Sequence, residues 1–257
     1  MLCDMTSHLT IVTGSSRGVG AALAARLLSR PGQRVLGMAR HANPALAALA
    51  DTHGALLEQW TVDLADAAPV AARLQAWLAA LDPAELASAT LVNNAATVST
   101  PAAAHRAPAA EQVRALRVGL EAPLLLSAAF IAATEAWALP KRLMNISSGL
   151  GRRAMAGSAA YCAVKAGLDH FSRALALEQA GAAHPVQVEA VAPGVIDTDM
   201  QVLLRSADPA LFPERERFVQ LHAQGQLLTP NACAALLLAR LDRSDYGRET
   251  VTDVRNG

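Results

Sequence analysis

The sequence is poor in cysteine, lysine and aromatic residues, and it has no excess of either charge. Its three cysteines and seven histidines show no metal-ligand spacing. An odd number of cysteines also argues against a disulfide framework and favours a reducing compartment. The 22 basic residues balance 22 acidic residues, although only two of the basic residues are lysines. Because proteins dedicated to nucleic acid usually carry a basic excess, we expect no nucleic-acid partner and no metal site.

The sequence also lacks an evident targeting or membrane segment. Asp4 stands where a signal peptide would carry positive charge, and the apolar run near it is short. The longest stretch without charged residues, 218–239, contains glutamines, a histidine and a proline, which argues against a membrane span. We therefore expect a cytoplasmic protein with no membrane partner.

What the sequence does have is a regular alternation of short β-rich runs and longer Ala/Leu-rich runs, with 53% apolar residues. The predicted strands cover residues 10–13, 35–38, 56–62, 91–93, 143–146, 186–191 and 250–254. The predicted helices cover residues 18–28, 44–52, 67–81, 109–133 and 158–179. This alternation predicts βαβ units and a doubly wound α/β fold, with a parallel sheet covered by helices on both faces.

No linker, repeat or low-complexity segment divides the chain, so we predict a single domain over residues 1–257. The stretch 193–226 is the longest without a predicted strand, and such a length is typical of a functional lid or insertion. We assign a substrate loop to about 194–226. Ligands are expected at the carboxyl ends of the strands.

A glycine turn separates the first predicted strand from the first helix. Gly14 permits the tight turn, Gly18 lets the backbone approach a phosphate, and Gly20 allows close packing of the helix. The same turn contains the candidate cofactor-binding residues Ser16, Arg17 and Val19. The spacing G-x-x-x-G-x-G favours a nucleotide cofactor, and a purely structural turn is the alternative.

The end of the second predicted strand indicates which nicotinamide cofactor is bound. A domain for NAD places an acid there to bind the ribose 2′-hydroxyl, but Arg40 occupies this region. Arg40 and Arg17 can clamp a 2′-phosphate, which favours NADPH. A solvated surface arginine is the alternative. Asp63 and Leu64 follow the third strand, where an adenine ring would lie, although Asp63 also suits a surface loop.

Tyr161 and Lys165 are the strongest candidates for chemistry. They stand four residues apart, on one face of a predicted helix. A lysine ammonium one turn away favours the phenolate, so we expect Lys165 to lower the Tyr161 pKa and let the phenol exchange a proton with a carbonyl oxygen. Ser148 follows the fifth strand, and its hydroxyl could hold the substrate oxygen.

Together these motifs resemble the short-chain dehydrogenase/reductase family along the whole chain. The matching segments are residues 13–20, 63–64, 93–96, 148, 161, 165 and 193–198. The resemblance implies a seven-stranded Rossmann-type sheet and hydride transfer between a nicotinamide and a carbonyl or alcohol. It implies Tyr161 as general acid, Lys165 on the nicotinamide ribose, and Ser148 orienting the substrate.

The resemblance assigns further roles around the cofactor. It implies that Asn93 braces the central strand and that Ala95 packs near the cofactor. It also implies that the loop with Ile196 and Thr198 holds the carboxamide and phosphate side of the cofactor. The remaining cofactor-binding candidates of this loop are Pro193 and Gly194. Members of the family are commonly dimers or tetramers, which implies a homodimer or homotetramer through helices 109–133 and 158–179.

The C-terminal third contains residues 197–201, residues 224–227 and a terminal strand with Asp253. In these segments it is similar to the sepiapterin reductase and benzil reductase group within that family. This group reduces vicinal dicarbonyls with NADPH. The similarity implies that Asp253 anchors a polar substrate edge and that Met200 contacts substrate. An Asp253 that only caps the last strand is the alternative.

Two residues depart from the family pattern. Ala96 stands where the family has a glycine after Asn93-Asn94-Ala95, which is a mild change, and the second departure is more serious. The family has an asparagine in the helix after the fourth strand, linked to a proton-relay water, and Gly119 stands at that position here. We expect the helix to bend there and water or backbone carbonyls to fill the space. The main hypothesis is an NADPH-dependent reductase of a small dicarbonyl or pterin-like ketone. A 3-oxoacyl-thioester reductase and a non-catalytic NADPH-binding sensor are the alternatives.

Overall fold

The short apolar runs of the sequence form the strands of one sheet in the computed structural model, which describes residues 6–256. The strands are β1 (Ser7–Thr13), β2 (Gln33–Ala39), β3 (Leu56–Thr61), β4 (Leu86–Asn93), β5 (Lys141–Ile146), β6 (Val186–Ala192) and β7 (Val251–Asp253). They are parallel throughout and lie in the order β3-β2-β1-β4-β5-β6-β7. The predicted doubly wound, Rossmann-type sheet is confirmed.

Helices cover both faces of this sheet. They are α1 (Gly18–Leu28), α2 (Pro44–His53), α3 (Ala67–Ala79), α4 (Ala109–Leu116), α5 (Ala122–Thr134), α6 (Ala159–Gln179), α7 (Asp199–Ser206), α8 (Arg215–Ala223) and α9 (Pro230–Leu241). Successive side chains of a strand point to opposite faces. Ile11 of β1 accordingly shares a buried cluster with Phe130 of α5, whereas Val12 shares one with Leu23 of α1 and Leu237 of α9.

The strand order places the site. The order reverses between β1 and β4, so the crossovers that follow these two strands leave in opposite directions and a crevice opens at their carboxyl ends. In the register, Val12 of β1 pairs with Val92 of β4, and Thr13 pairs with Met38 of β2. The glycine turn, Asn94 and Arg40 therefore begin at the same edge of the sheet.

The predicted helix 109–133 is interrupted. A π-helical turn, Arg117–Glu121, joins α4 to α5 and contains Gly119, so the helix is irregular at the position where a bend was expected. Among the described residues, the stretch Ala109–Thr134 is the one whose length and apolar composition would allow it to cross a membrane. In the fold it lies on the sheet, with Leu126 and Phe130 fully buried.

Three helices were not predicted. Helices α7 and α8 lie within the predicted substrate loop, and α9 follows it. Helix α9 begins with Thr229 as N-cap, whose hydroxyl accepts from the backbone N–H of Ala232 at 3.1 Å, and Pro230 follows at the first helical position. A capping threonine followed by proline is an ordinary start signal, which the sequence interpretation did not use.

Candidate active site

The turn between β1 and α1 depends on three glycines for different steric reasons. Gly14 and Gly18 have φ values of +71° and +58°, a region that residues with a Cβ rarely adopt. At Gly20 an added Cβ would lie 2.2 Å from the carbonyl oxygen of Gly14, so only glycine lets α1 pack this closely. At Gly18 an added Cβ would meet only Thr198 Cγ2, at 3.9 Å. The N-terminus of α1 therefore faces open space in which an anion can approach the backbone.

Two asparagines at the end of β4 hold neighbouring elements together. Asn94 donates from Nδ2 to the carbonyl oxygen of Thr13 at 2.9 Å, which ties β4 to the glycine turn. Asn93 donates from Nδ2 to Asn145 Oδ1 of β5 at 2.9 Å and to Ser127 Oγ of α5 at 3.1 Å. Because Asn93 is buried, these bonds brace the central strands from within the core.

The carboxyl ends of the strands enclose a cleft of about 680 Å³. The residues predicted from the sequence that line it are Gly14, Ser16, Arg17, Gly18, Val19, Arg40, Asp63, Leu64, Ala95, Ser148, Tyr161, Lys165, Pro193, Gly194, Ile196, Thr198 and Met200. Gly20, Asn93 and Asp253 do not line the cleft. The first two lie behind its wall, where they shape it through packing and hydrogen bonds.

Ser148, Tyr161 and Lys165 line this cleft beside β5, on the far side from β2 and β3. Ser148 comes two residues after β5 ends, and its Oγ accepts from the backbone N–H of Leu150 at 3.2 Å. Tyr161 and Lys165 lie one turn apart near the start of α6. Lys165 is buried, and its Nζ lies 5.6 Å from the centre of the Tyr161 ring. The same ammonium donates to the carbonyl oxygen of Ile146 at 2.6 Å.

The pKa of Tyr161 differs from the one expected from the sequence. Burial raises the pKa of Tyr161 to about 12, although the nearby Ser148 hydroxyl acts in the opposite direction. The net shift of the phenol pKa is therefore upward, opposite to the expected lowering, because burial outweighs the effects that favour the phenolate. Burial lowers the pKa of Lys165 itself to about 8, against the opposing effect of Asp169. Near neutral pH the phenol is therefore protonated and Lys165 is mostly cationic.

The opposite end of the cleft carries arginines and aspartates. Arg17 forms an ion pair with Asp199 at the start of α7. Asp63 accepts from Arg114 Nη2 at 3.0 Å and from the backbone N–H of Ala65 at 3.0 Å, and both bonds lower its pKa. Arg40 is exposed and forms no ion pair within residues 6–256. Of the two predicted clamps, Arg40 is thus the one free to bind an anion, whereas Arg17 must exchange a partner.

A loop after β6 closes the cleft between these two ends. Gly194 has a φ of +83°, and Ile196 forms a parallel bridge with Leu228. The backbone N–H of Asp197 donates to the Leu228 carbonyl at 2.9 Å. This backbone pairing fixes the loop that presents Thr198 opposite Gly18.

Asp253 is held by its own neighbour. Its Oδ1 accepts from the backbone N–H of Arg255 at 3.0 Å and from Arg255 Nε at 2.8 Å, and Oδ2 accepts from Nη2 at 2.5 Å. These bonds lower the Asp253 pKa. Arg255, not Asp253, lines the cleft. The geometry therefore favours the capping role over the substrate anchor.

The space beside Gly119 is not filled by water as expected. An added Cβ at Gly119 would lie 2.6 Å from Val164 Cγ1, so the valine that precedes Lys165 occupies the place of a side chain. An asparagine here would have to displace Val164 from the face of α6.

We expect Gly119→Asn to lower stability without improving catalysis. Overpacking a closely filled site costs about 1–3 kcal/mol, so Tm should fall, while kcat should stay within about tenfold of wild type, roughly 1.4 kcal/mol of barrier. Val164→Ala and the double variant are the controls, since the smaller side chain makes room. A hundredfold gain in kcat in either asparagine variant would show that the natural sequence has a broken proton relay.

Sequence interpretation missed Asp169, which lies one turn after Lys165 on α6. Its carboxylate is buried, and Ser147 Oγ donates to Oδ1. Oδ2 has no hydrogen-bond partner within residues 6–256, and Arg152 Nε is 4.0 Å away. Burial raises the Asp169 pKa. The four-residue spacing from Lys165 was the available signal, and it implies that Asp169 helps to keep Lys165 charged.

We expect Asp169→Asn to move the alkaline limb of the kcat profile to lower pH. Lys165 loses its charge as pH rises through its pKa of about 8, and the Asp169 carboxylate holds that pKa up. Removing the carboxylate lowers the pKa of Lys165, so the charge is lost at lower pH; a limb displaced by about one pH unit corresponds to about 1.4 kcal/mol. Asp51→Asn, on the exposed face of α2, is the matched control. An unmoved limb would assign Asp169 a purely structural role.

Comparison with known proteins agrees with this geometry. Residues 8–209 match the short chain dehydrogenase family. Benzil reductase ((S)-benzoin forming) of Bacillus cereus is 31% identical over 236 residues, covering 92% of this chain and 94% of that protein. Sepiapterin reductase of Meriones unguiculatus is 32% identical and covers 92% of each chain. The crystal structure of a metagenomic short-chain oxidoreductase in complex with NADP superposes with a TM-score of 0.70 at 28% identity, covering 98% of this chain and 96% of that one.

The family match extends over most of the chain, and it includes the glycine turn, Ser148, Tyr161 and Lys165. The relatives span nearly the full length of this chain. The protein is therefore an oxidoreductase that belongs to the short-chain dehydrogenase/reductase family.

Proposed function

We propose that this protein is an NADPH-dependent carbonyl reductase that acts on a small vicinal dicarbonyl or pterin-like ketone. The observation that carries the proposal is the meeting of Ser148, Tyr161 and Lys165 in the same cleft as the glycine turn. The similarity to benzil reductase and sepiapterin reductase supports the dicarbonyl or pterin-like substrate class.

The open space above Gly18 and the free Arg40 fit a dinucleotide with a 2′-phosphate. The N-terminus of α1 would face the pyrophosphate, and Arg40 would bind the 2′-phosphate. Asp63 and Leu64 would lie beside the adenine, and Thr198 would lie opposite the glycine turn. When bound, NADPH supplies the hydride for carbonyl reduction.

The chain's own residues supply the proton and the orientation. The Ser148 hydroxyl donates a hydrogen bond to the substrate carbonyl oxygen and holds it beside the Tyr161 phenol. The phenol, protonated at neutral pH because of its raised pKa, donates its proton to that oxygen as negative charge develops there. The Lys165 ammonium stabilises the resulting phenolate by its positive charge.

The test is the oxidation of NADPH or NADH by the purified protein in the presence of benzil, sepiapterin or an acetoacetyl thioester. We expect turnover of a diketone or of sepiapterin with NADPH, and slower turnover with NADH. Preference for the thioester would support a 3-oxoacyl-thioester reductase. Tight NADPH binding without turnover of any ketone would instead support a non-catalytic sensor.

We also infer a homodimer or homotetramer in the cytoplasm. Val113 and Leu116 on α4 and Leu177 on α6 are large apolar side chains that remain exposed on the two helices expected to pair. Cys162 and Cys233 are free thiols, which suits a reducing compartment. Sedimentation equilibrium with Leu116→Glu tests the pairing, because a charge in the interface should yield monomers.

A further inference from the structure

The substrate end of the cleft has an apolar floor that is separate from the two main cores. Met155, Leu204, Phe212 and Phe218 form a buried cluster that joins the loop after β5 to α7 and α8. Phe212 and Phe218 stack with ring centres 5.7 Å apart. Met155, Leu204 and Phe218 also line the cleft. The predicted substrate loop thus supplies an apolar surface against which an apolar part of a ligand can pack.

The cleft as a whole is cationic, although the protein has no net charge. Seven cationic and three anionic side chains line it. The cationic residues are Arg17, Arg40, Arg114, Arg153, Lys165, Arg217 and Arg255, and the anionic residues are Asp63, Asp197 and Asp199. A concave surface lined with one sign of charge concentrates ligands of the opposite sign.

Each of the three lining carboxylates is already paired with an arginine. Asp63 pairs with Arg114, and Asp199 pairs with Arg17. Asp197 pairs with a residue of α7, Arg205, at 3.5 Å. Among the described residues that line the cleft, no carboxylate is unpaired. None is therefore available to compete with a ligand for a cationic side chain.

Among the described residues 6–256, Arg153 is the arginine at the substrate end that forms no ion pair. Arg217 pairs with Glu214 at 3.5 Å, and Arg255 pairs with Asp253. The exposed Arg153 guanidinium forms no hydrogen bond or ion pair within residues 6–256. Its backbone N–H donates to the Gly149 carbonyl at 3.1 Å, so Arg153 belongs to the same short turn that begins at Ser148.

We propose that Arg153 binds a carboxylate on the ketone substrate while the substrate's apolar body lies on Met155, Leu204 and Phe218. A guanidinium presents parallel N–H groups that match a carboxylate in geometry and charge. Because the turn that carries Arg153 also carries Ser148, binding the carboxylate keeps the substrate close to the Ser148 hydroxyl. The inference rests on the proposed carbonyl reductase and narrows its substrate class to carboxylated ketones with an apolar body.

The experiment compares benzil carrying a 4-carboxylate with the methyl ester of the same compound. The two share the diketone and nearly the same shape, but differ in charge. In wild type we expect kcat/KM to favour the acid. In Arg153→Gln we expect the acid-to-ester ratio of kcat/KM to fall about tenfold, mainly because KM of the acid rises. A tenfold change corresponds to about 1.4 kcal/mol.

Arg248→Gln is the matched control, because Arg248 is exposed and precedes β7. It lies at the amino ends of the parallel strands, whereas the cleft lies at their carboxyl ends. It should leave the acid-to-ester ratio as in wild type. Calorimetric titration of both compounds in the presence of saturating NADP⁺ gives a second readout that does not require turnover. Weaker binding of the acid alone in Arg153→Gln supports the proposal.

The outcomes distinguish failure of the carboxylate site from failure of the proposed reductase. Reduction of both compounds with the same ratio in wild type and Arg153→Gln overturns the carboxylate site and leaves the proposed reductase intact. Absence of reduction of either compound, of benzil and of sepiapterin contradicts the reductase. In that case, the titration still decides whether Arg153 binds the carboxylate. Equal affinities of wild type for the acid and the ester would overturn the carboxylate site.

Discussion

Tyr161→Phe should lower kcat by about 10²-fold or more, the contribution of a positioned general acid. The phenol lines the cleft and is protonated at neutral pH, because burial raises its pKa to about 12. Phenylalanine keeps the ring and its packing but removes the donor. Stopped-flow and steady-state rates of NADPH oxidation with the best diketone measure the loss, and NADPH affinity should change little.

The chain offers a matched control in its other tyrosine. Tyr246 is buried and donates from its hydroxyl to the carbonyl oxygen of Leu143 at 2.8 Å, away from the cleft. Tyr246→Phe should therefore cost about 0.5–1.5 kcal/mol of stability by removing one buried hydrogen bond, with kcat near wild type. Near-normal turnover in Tyr161→Phe would contradict the proposed acid, whatever the control shows.

The fold was predictable where the local pattern and the tertiary structure agree. The run that becomes β1 is bounded by a glycine turn, and Gly14 and Gly20 have steric reasons to be glycine. The π-helical turn at Gly119 was not predictable in detail, because apolar periodicity is nearly the same for a continuous helix. The neighbour of Gly119, Val164 of α6, comes from a distant part of the chain and is seen only in the fold.

At the candidate site, sequence identified residue types better than their partners. Spacing placed Tyr161 and Lys165 on one helical face, but only the fold shows the Lys165 ammonium bound to the Ile146 carbonyl. The family resemblance drew attention to Asp253, but in the fold its carboxylate binds Arg255, two residues along, and the arginine lines the cleft instead. Such partners depend on side-chain direction and burial, which one-dimensional patterns do not specify.

Arg40→Asp should reverse the preference between the two nicotinamide cofactors. Arg40 lies just beyond β2, lines the cleft, and has no ion pair within residues 6–256. Loss of a charge-assisted bond to the 2′-phosphate should cost about 2 kcal/mol or more of NADPH affinity, roughly 30-fold in Kd. The new carboxylate would also repel that phosphate and could accept a hydrogen bond from the 2′-hydroxyl of NADH. Fluorescence titration of both cofactors against both proteins measures the change.

The same substitution at Arg248 separates a local effect from a change in net charge. Arg248→Asp alters the total charge equally, but Arg248 lies at the amino ends of the strands, away from the cleft. Both cofactors should bind this control as they bind wild type. Asp199→Asn adds a second test, since it releases Arg17 from its ion pair and makes a second guanidinium available to the phosphate; NADPH affinity should then rise while NADH affinity does not. If wild type binds NADH as tightly as NADPH, Arg40 is a solvated surface residue and the assignment of NADPH fails.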